Sequence, residues 1–361
     1  MTTTPPAPGS DSGHNGDTRP SSSGTTSTGP TSAPAGKKRI VEIDAVRGFA
    51  LCGIHVVNVY QQVVFPAMFG ELRGKGVTVF PDLVRYGFYE RFFPIFTLLF
   101  GLGFAIFLES AAAKTDSPRT VLARRLVALA VIGIIHQVFH QGEALLPYAI
   151  FGLIFLLPAS FLKPWPTVAV GIVLLLIGGQ VIAGYGVMPG LLVIGLALAG
   201  LGVHRTLRTH TGAWAAVTAI FGAITAAHWW SVWAGIDLPR LSFGLASLPD
   251  QLAGVATGMF FACLLILLMR IPIGRPLAAV LAPMGRMALT NYLMATVLIL
   301  AASPALGIAD TSDWPQIAGL VVGIIVVEAI WSPLWLARFR YGPAEWAWRC
   351  VTWWRKVPIR R

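Results

Sequence analysis

Residues 41–64 read VEIDAVRGFALCGIHVVNVYQQVV, and this stretch decides the fold. It is a long, mostly apolar run, and a helix needs about 20 such residues to cross the core of a bilayer. The whole 361-residue chain has the same character, with 55% hydrophobic and 12% charged residues and a mean hydropathy of +0.69. A soluble fold of this composition would expose large apolar patches. The sequence therefore predicts an all-α, polytopic bundle of transmembrane helices.

Apolar windows along the chain predict about ten spans. They fall at residues 43–64, 87–109, 121–140, 145–162, 167–185, 188–204, 213–233, 248–269, 286–304 and 315–337. Lys and Arg are concentrated in alternate loops, and such loops lie in the cytoplasm. This bias places both termini in the cytoplasm of a multi-pass protein of the bacterial inner membrane.

Three segments differ in composition. Residues 1–36 are rich in Thr, Ser, Pro and Gly, which predicts a disordered cytoplasmic tail. Residues 37–341 form the transmembrane domain, and residues 342–361 combine Trp with Arg and Lys, which predicts a helix lying on the inner membrane surface. Because the net charge of +11 is spread over short clusters, it indicates anionic lipids as partners and not nucleic acid.

The first span carries a stripe of polar residues. Asp44, Arg47, His55, Asn58 and Gln62 fall on one helical face, and the stripe rises about 21 Å from Asp44 to Asn58 at 1.5 Å per residue. Ionisable groups at this depth are costly and often mark function. The alternative is an Asp44–Arg47 pair at the helix start together with hydrogen bonds between neighbouring helices.

A second polar cluster ends the third span. His136, His140 and Glu143 are spaced four and three residues apart, which predicts one helical face, and Tyr148 follows. A carboxylate one turn from an imidazole can make the histidine a general base. Metal binding and two histidines wetted at the outer interface are the alternatives. Arg91, Arg286, Asn291 and Glu328 are further polar residues at or inside spans, and Glu328 needs a partner or its neutral form.

The segments RIVEIDAVRGFALCGIHVVNV, RFFPIFTLLFGLGFAIF, RRLVALAVIGIIHQVFHQGEALLPYAIFG, GRMALTNYL and FRYGPAEWAWRCVTW occur in this order. In this they resemble the YeiB-like bacterial membrane proteins, a family known as domain of unknown function 418. The motif residues carried over by the resemblance are Asp44, Arg47, Gly48, Asn58, His136, Glu143, Tyr148, Gly285, Arg286, Asn291, Tyr292, Gly342, Glu345 and Arg349. The chain departs from the family pattern at Ile43, at Glu143 (commonly Asp), and at His55 and His140.

The D-x-x-RG start is also distantly similar to membrane acyltransferases, which include the acyltransferase-three proteins and heparan-alpha-glucosaminide N-acetyltransferase. The resemblance implies transfer of an acyl group from cytoplasmic acyl-CoA, as a co-substrate, to an envelope glycan or lipid. Where acyltransferase-three proteins have His, this chain has Asn58. We expect no permanently bound cofactor and no metal.

Under this hypothesis His136 is the general base and Glu143 orients it. Arg47 or Asn58 stabilises the developing oxyanion. The expected catalytic residues are His136, Glu143, Asp44, Arg47 and Asn58, and the expected substrate-binding residues are His55, Arg91, Tyr148, Arg286, Asn291 and Glu328. One difficulty is that the predicted topology places Arg47 near the cytoplasmic edge and His136 near the outer edge. A proton-coupled transporter using Glu328 and a non-catalytic membrane scaffold stay open as alternatives.

Overall fold

The computed structural model describes residues 39–69, 82–181, 185–236, 248–308 and 313–361. Within these ranges the chain is helical, and the only strand-like feature is a single bridge between Phe339 and Arg360. The all-α prediction is therefore confirmed. The expected disordered tail at 1–36 lies outside the described residues.

The helices are numbered here in chain order. They are α1 Val41–Phe69, α2 Asp82–Gly87, α3 Phe92–Ala112, α4 Pro118–Gln137, α5 Leu145–Phe151, α6 Leu157–Ala159, α7 Pro164–Val181, α8 Met188–Gly200, α9 Thr211–Trp233, α10 Leu248–Leu268, α11 Gly274–Arg286, α12 Ala288–Ala305, α13 Trp314–Arg338 and α14 Pro343–Trp353. A π-helical segment at Gly152–Leu156 joins α5 to α6, and a short 3-10 helix spans Val203–Arg205.

Seven described helices are long and apolar enough to cross a membrane: α1, α3, α7, α9, α10, α12 and α13. Two further predicted spans coincide with shorter apolar helices, Leu145–Ala159 and Met188–Gly200. The predicted span at 121–140 is shifted by three residues, because α4 begins at Pro118 and ends at Gln137. The sequence analysis also missed α11, which is amphipathic and begins well before the predicted ninth window.

Helix α1 lies against α3, α10, α11, α12 and α13. Its closest approach is to α11, where Gly48 and Gly285 meet. A Cβ atom on Gly48 would collide with the carbonyl oxygen of Leu281, and one on Gly285 would collide with that of Asp44. Two of the segments that carry the family resemblance therefore meet backbone to backbone, and only glycine permits this contact.

Helix α14 is attached to the bundle by polar contacts. Glu345 accepts hydrogen bonds from the backbone N–H of Leu289 and Thr290, at the first turn of α12, and from the Thr290 hydroxyl. Trp348 donates its indole N–H to the carbonyl oxygen of Arg125 on α4 at 2.7 Å. A carboxylate at a helix start stabilises that helix, so α14 holds the beginnings of α4 and α12 together.

Candidate functional site

His55 on α1 and Glu328 on α13 are joined by a side-chain hydrogen bond inside the bundle. His55 Nε2 lies 3.0 Å from both carboxylate oxygens of Glu328, and both side chains are 0% exposed. The sequence singled out both residues separately, but nothing in it joined them. The structure gives Glu328 the partner that a carboxylate in an apolar helix requires.

His136 and His140 share one hydroxyl group. The Thr296 Oγ1 atom on α12 lies 2.9 Å from His136 Nε2 and 2.9 Å from His140 Nδ1. A hydroxyl can donate to one nitrogen and accept from the other. The two imidazole rings are stacked with centroids 5.1 Å apart, and the Tyr292 ring packs against both.

The prediction that His136, His140 and Glu143 share one face of a continuous helix is wrong. Helix α4 ends at Gln137, and a turn whose Gly142 has a φ of +82° reverses the chain. The backbone N–H of His140 still donates to the carbonyl oxygen of His136 at 2.9 Å, so the spacing of four residues does place these two histidines side by side. The turn at Gly142 follows His140, and it is Glu143 that this turn and not helical periodicity positions.

The Glu143 carboxylate contacts both the start of α5 and the His136 imidazole. Its carboxylate accepts hydrogen bonds from the backbone N–H of Leu145 at 2.5 Å and of Leu146 at 2.8 Å, which caps the start of α5. Its Oε1 atom also lies 3.5 Å from His136 Nδ1. The cap fixes the carboxylate near the imidazole, at a distance that leaves His136 Nδ1 without a hydrogen-bond partner among the described residues.

These contacts form two groups: the His55–Glu328 pair, and a second group of His136, His140, Glu143, Tyr292 and Thr296. We call the two groups, together with buried Asn58 one turn after His55 on α1, the buried polar cluster. Several atoms of the cluster are buried and have no hydrogen-bond partner among the described residues, namely His55 Nδ1, Asn58 Nδ2, His136 Nδ1 and His140 Nε2. Buried polar atoms are normally paired, so such a concentration marks a place where a polar molecule would bind.

Asp44 and Arg47 lie at the other end of the polar stripe. Arg47 Nη1 is 3.3 Å from Asp44 Oδ1 and 3.4 Å from the carbonyl oxygen of Gly285. The eight residues from Arg47 to His55 correspond to about 12 Å along α1. Arg47 is therefore about two helical turns from the nearest part of the buried polar cluster.

Tyr148 and Asn291 lie elsewhere in the core and make internal contacts. The Tyr148 hydroxyl is 2.7 Å from Thr97 Oγ1, and its ring packs against Phe93, Phe96 and Phe100. The Asn291 side chain donates to Met284 O and Ser332 Oγ and accepts from Trp331 Nε1. Both side chains are buried, and their hydrogen bonds hold helices together.

Arg91 and Arg286 are separate from each other. Arg91 donates to the carbonyl oxygen of Tyr89 at 2.6 Å and approaches Gly254 of α10. Arg286 ends α11 and approaches the carbonyl oxygen of Arg340 at 3.4 Å. The eleven residues predicted as functional are thus divided among several places, and five of them belong to the buried polar cluster: His55, Asn58, His136, Glu143 and Glu328.

No three His, Cys, Asp or Glu side chains converge as a metal site in the part of the chain that the structure describes. A crevice of about 340 Å³ opens between α3, α4, α6, α7 and α8, and Glu109, Arg119 and Ser160 are among its lining residues. None of the predicted functional residues lines it.

Sequence reasoning missed Thr296 as a member of the site. The only signal for it is its position one helical turn after Tyr292, itself a motif residue, on an otherwise apolar helix. A threonine in such a helix commonly bonds to its own backbone, and nothing in the sequence indicated that two histidines from another helix end would flank it.

An all-α bundle of apolar helices with an ionisable cluster in its core defines a polytopic membrane protein with an internal polar site. Residues 199–355 match the family model described as "Protein of unknown function (DUF418)". The chain is 33% identical over 340 residues to an uncharacterized 39.9 kDa protein in the amylase 3' region of Bacillus acidopullulyticus, which covers 89% of this chain and 96% of that protein.

Two further relatives are more distant. The uncharacterized protein YeiB of Escherichia coli K12 is 26% identical over 388 residues, covering 87% of this chain and 96% of that protein. The uncharacterized protein YxaH of Bacillus subtilis 168 is 25% identical over 392 residues, covering 90% of this chain and 96% of that protein. The chain therefore belongs to the YeiB-like family of domain of unknown function 418. No solved structure matches the chain significantly.

Proposed function

We propose that the protein transfers an acyl group from acyl-CoA to a hydroxyl group of an envelope glycan or lipid at the bacterial inner membrane. The observation that carries this proposal is the environment of His136. One ring nitrogen lies 2.9 Å from a hydroxyl oxygen, and the other lies 3.5 Å from the carboxylate of Glu143. These are the groups of the hydroxyl–imidazole–carboxylate arrangement that acyl transfer uses, with the imidazole–carboxylate contact still longer than a hydrogen bond.

In the proposed reaction the acceptor hydroxyl binds beside the Thr296 hydroxyl, which stays at His136 Nε2 and passes the acceptor's proton to it. His136 removes the proton as the oxygen attacks the thioester carbonyl, and Glu143 stabilises the imidazolium that forms. The C–S bond then breaks, and the thiol of CoA leaves with the proton from His136. The products are the acyl ester and free CoA, so atoms and charge balance.

Asn58 is the better candidate for stabilising the oxyanion. Arg47 is the better candidate for binding the acyl-CoA donor. The buried Nδ2 atom of Asn58 lacks a hydrogen-bond partner among the described residues and lies one turn beyond His55. Amide donors of this kind stabilise a developing oxyanion. Because Arg47 is about 12 Å from His55 along the helix, it is suited to hold a remote part of the donor.

The test uses membranes that contain the wild-type chain or a variant, incubated with radiolabelled acetyl-CoA or palmitoyl-CoA and an extract of envelope lipids and glycans. We expect label in the envelope fraction with wild type and none with His136→Ala. His210→Ala removes an exposed histidine at the start of α9 and serves as the matched control, with wild-type incorporation. Equal labelling by wild type and His136→Ala excludes His136 as the base.

Proton-coupled transport is the second candidate, and the His55–Glu328 pair is the observation that favours it. A fully buried histidine–carboxylate pair can take up and release a proton as its surroundings change. Under this alternative, vesicles with the wild-type chain accumulate a solute when a proton gradient is applied, and Glu328→Gln abolishes the accumulation. A scaffold is indicated if both assays are negative and the variants differ only in stability.

A further inference from the structure

Three arginine side chains from three helices lie close together near one end of the bundle, at the cytoplasmic edge of the predicted topology. They are Arg47 on α1, Arg125 on α4 and Arg349 on α14. Arg47 and Arg125 both border α3, near Gly103 and Phe107, and Arg349 directly follows Trp348, on which Arg125 stacks. All three residues are half-buried, so water screens their mutual repulsion less than at an open surface.

The arginines are held in place by packing. The Arg125 guanidinium lies 3.5 Å from the centroid of the Trp348 ring and 4.9 Å from that of Phe107. Four residues before Phe107 on α3, a Cβ atom at Gly103 would lie 3.7 Å from Arg47 Nη2. One face of α3 therefore borders both arginines, and stacking on aromatic rings fixes a guanidinium without using its N–H donors.

Few hydrogen-bond acceptors are available to the N–H groups of these three guanidinium groups. Arg47 has Asp44, and Glu345 is near Arg125, but the oxygens of Glu345 accept from the first turn of α12. Among the residues that the structure describes, no oxygen accepts a hydrogen bond from the guanidinium of Arg125 or Arg349. Arg349 instead stacks 4.5 Å from the Tyr341 ring centroid. Each guanidinium offers a planar fork of donors that fits a phosphate oxygen pair.

We propose that Arg47, Arg125 and Arg349 form a binding site for a phosphate group. Two sources supply this chemistry: the phosphates of a soluble CoA thioester and the headgroup of an anionic phospholipid. The first source rests on the proposed function and deepens it. The pantetheine arm of CoA is longer than the ~12 Å of α1 between Arg47 and His55, so a donor held at the arginines would present its thioester to the buried polar cluster.

The test measures binding by the purified full-length chain in phosphatidylcholine nanodiscs. Coenzyme A and inorganic pyrophosphate are titrated separately by calorimetry at fixed salt. We expect binding to weaken at least tenfold in Arg125→Gln and in Arg349→Gln. Arg124→Gln, which removes the exposed neighbouring arginine of α4, is the matched control and keeps wild-type affinity. Arg125→Lys retains the charge without the planar fork and gives an intermediate affinity.

A second arm distinguishes the lipid source. The same variants are prepared in nanodiscs that contain phosphatidylglycerol, and the retained lipid is measured by native mass spectrometry. Retention of phosphatidylglycerol that depends on Arg125 and Arg349, without binding of coenzyme A or pyrophosphate, assigns the site to a headgroup. The proposal is overturned if no probe binds, or if Arg124→Gln weakens binding as much as Arg125→Gln does.

Folding and function are separated by two controls. Thermal unfolding of each variant identifies any loss that comes from the Arg125–Trp348 stack, and Arg349→Gln leaves that stack intact. His136→Ala is expected to bind coenzyme A normally while lacking transfer. Coenzyme A binding without transfer by wild type contradicts only the proposed function, whereas transfer that does not depend on the three arginines contradicts only the phosphate site.

Discussion

His55 and Glu328 are 273 positions apart in the sequence, yet His55 Nε2 lies 3.0 Å from the Glu328 carboxylate with neither side chain exposed. The pair connects α1 to α13 in the interior of the bundle. Removing one partner of a buried ion pair typically costs about 3–5 kcal/mol, whereas replacing both with apolar residues is often neutral. The pair therefore links the stability of the bundle to its polar centre.

We expect His55→Leu and Glu328→Leu each to lower the thermal unfolding temperature in detergent. His55→Leu should cost more, because it leaves a carboxylate buried alone, while Glu328→Leu leaves an imidazole that can be neutral. The double variant should recover part of the loss, with a coupling energy of about 1–3 kcal/mol. Strictly additive losses would show that the two side chains do not interact.

Thr296→Val keeps the shape of the side chain but removes the hydroxyl between His136 and His140. If that hydroxyl sets the position of the imidazole, transfer should fall at least tenfold in Thr296→Val and be largely retained in Thr296→Ser. Thr257→Val is the matched control, because the Thr257 hydroxyl is buried and bonds only within α10, to Ala253 O. A similar fall in both valine variants would indicate a general effect on packing.

The sequence was sufficient for the all-α class and for most of the long helices, because repeated apolar windows of bilayer length are typical of membrane-spanning helices. The sequence also indicated five residues of the buried polar cluster, because polar and ionisable side chains inside an apolar helix carry a free-energy cost and often mark function. It could not pair His55 with Glu328, since no local rule relates positions 273 residues apart. It misplaced the end of α4 and the position of Glu143, because the spacing of His136, His140 and Glu143 is that of one helical face, whereas α4 ends at Gln137 and a turn at Gly142 precedes Glu143.

The contact between Gly48 and Gly285 gives a prediction about stability. Gly285→Ala would force α1 and α11 apart, since its Cβ would collide with the carbonyl oxygen of Asp44. We expect a loss of several kcal/mol or failure to accumulate in the membrane, an estimate based on the cost of overpacking. Gly319→Ala, on α13 with nothing within 4 Å of the added Cβ, should be neutral or slightly stabilising. Equal behaviour of the two variants would contradict the close helix contact.

Glu90 gives a prediction about pH. It lies in the turn before α3, where burial raises the pKa of its carboxyl to about 7 against the opposing attraction of Arg91. The unfolded value is about 4.3, so between these values the folded state binds more protons than the unfolded state. The contribution of Glu90 to stability is therefore present at low pH and is lost as the pH rises towards 7.

Glu90→Gln should accordingly match the wild type in thermal unfolding near pH 4 and be more stable at pH 8.5, by up to about 4 kcal/mol. Glu109→Gln, an exposed carboxylate further along α3, serves as the control and should show no comparable difference between the two pH values. A Glu90→Gln variant that is less stable than the wild type at pH 8.5 would contradict the raised pKa.

Acyl transfer by His136 is tested most directly in cells of the native host. Envelope lipids and glycans are compared by mass spectrometry in wild-type, deletion and His136→Ala strains, with the amount of membrane-inserted protein measured in parallel. We expect one acylated species to disappear in both altered strains, while His136→Ala protein is present at the wild-type level. Identical profiles in all three strains would contradict acyl transfer and favour transport by the same buried polar cluster.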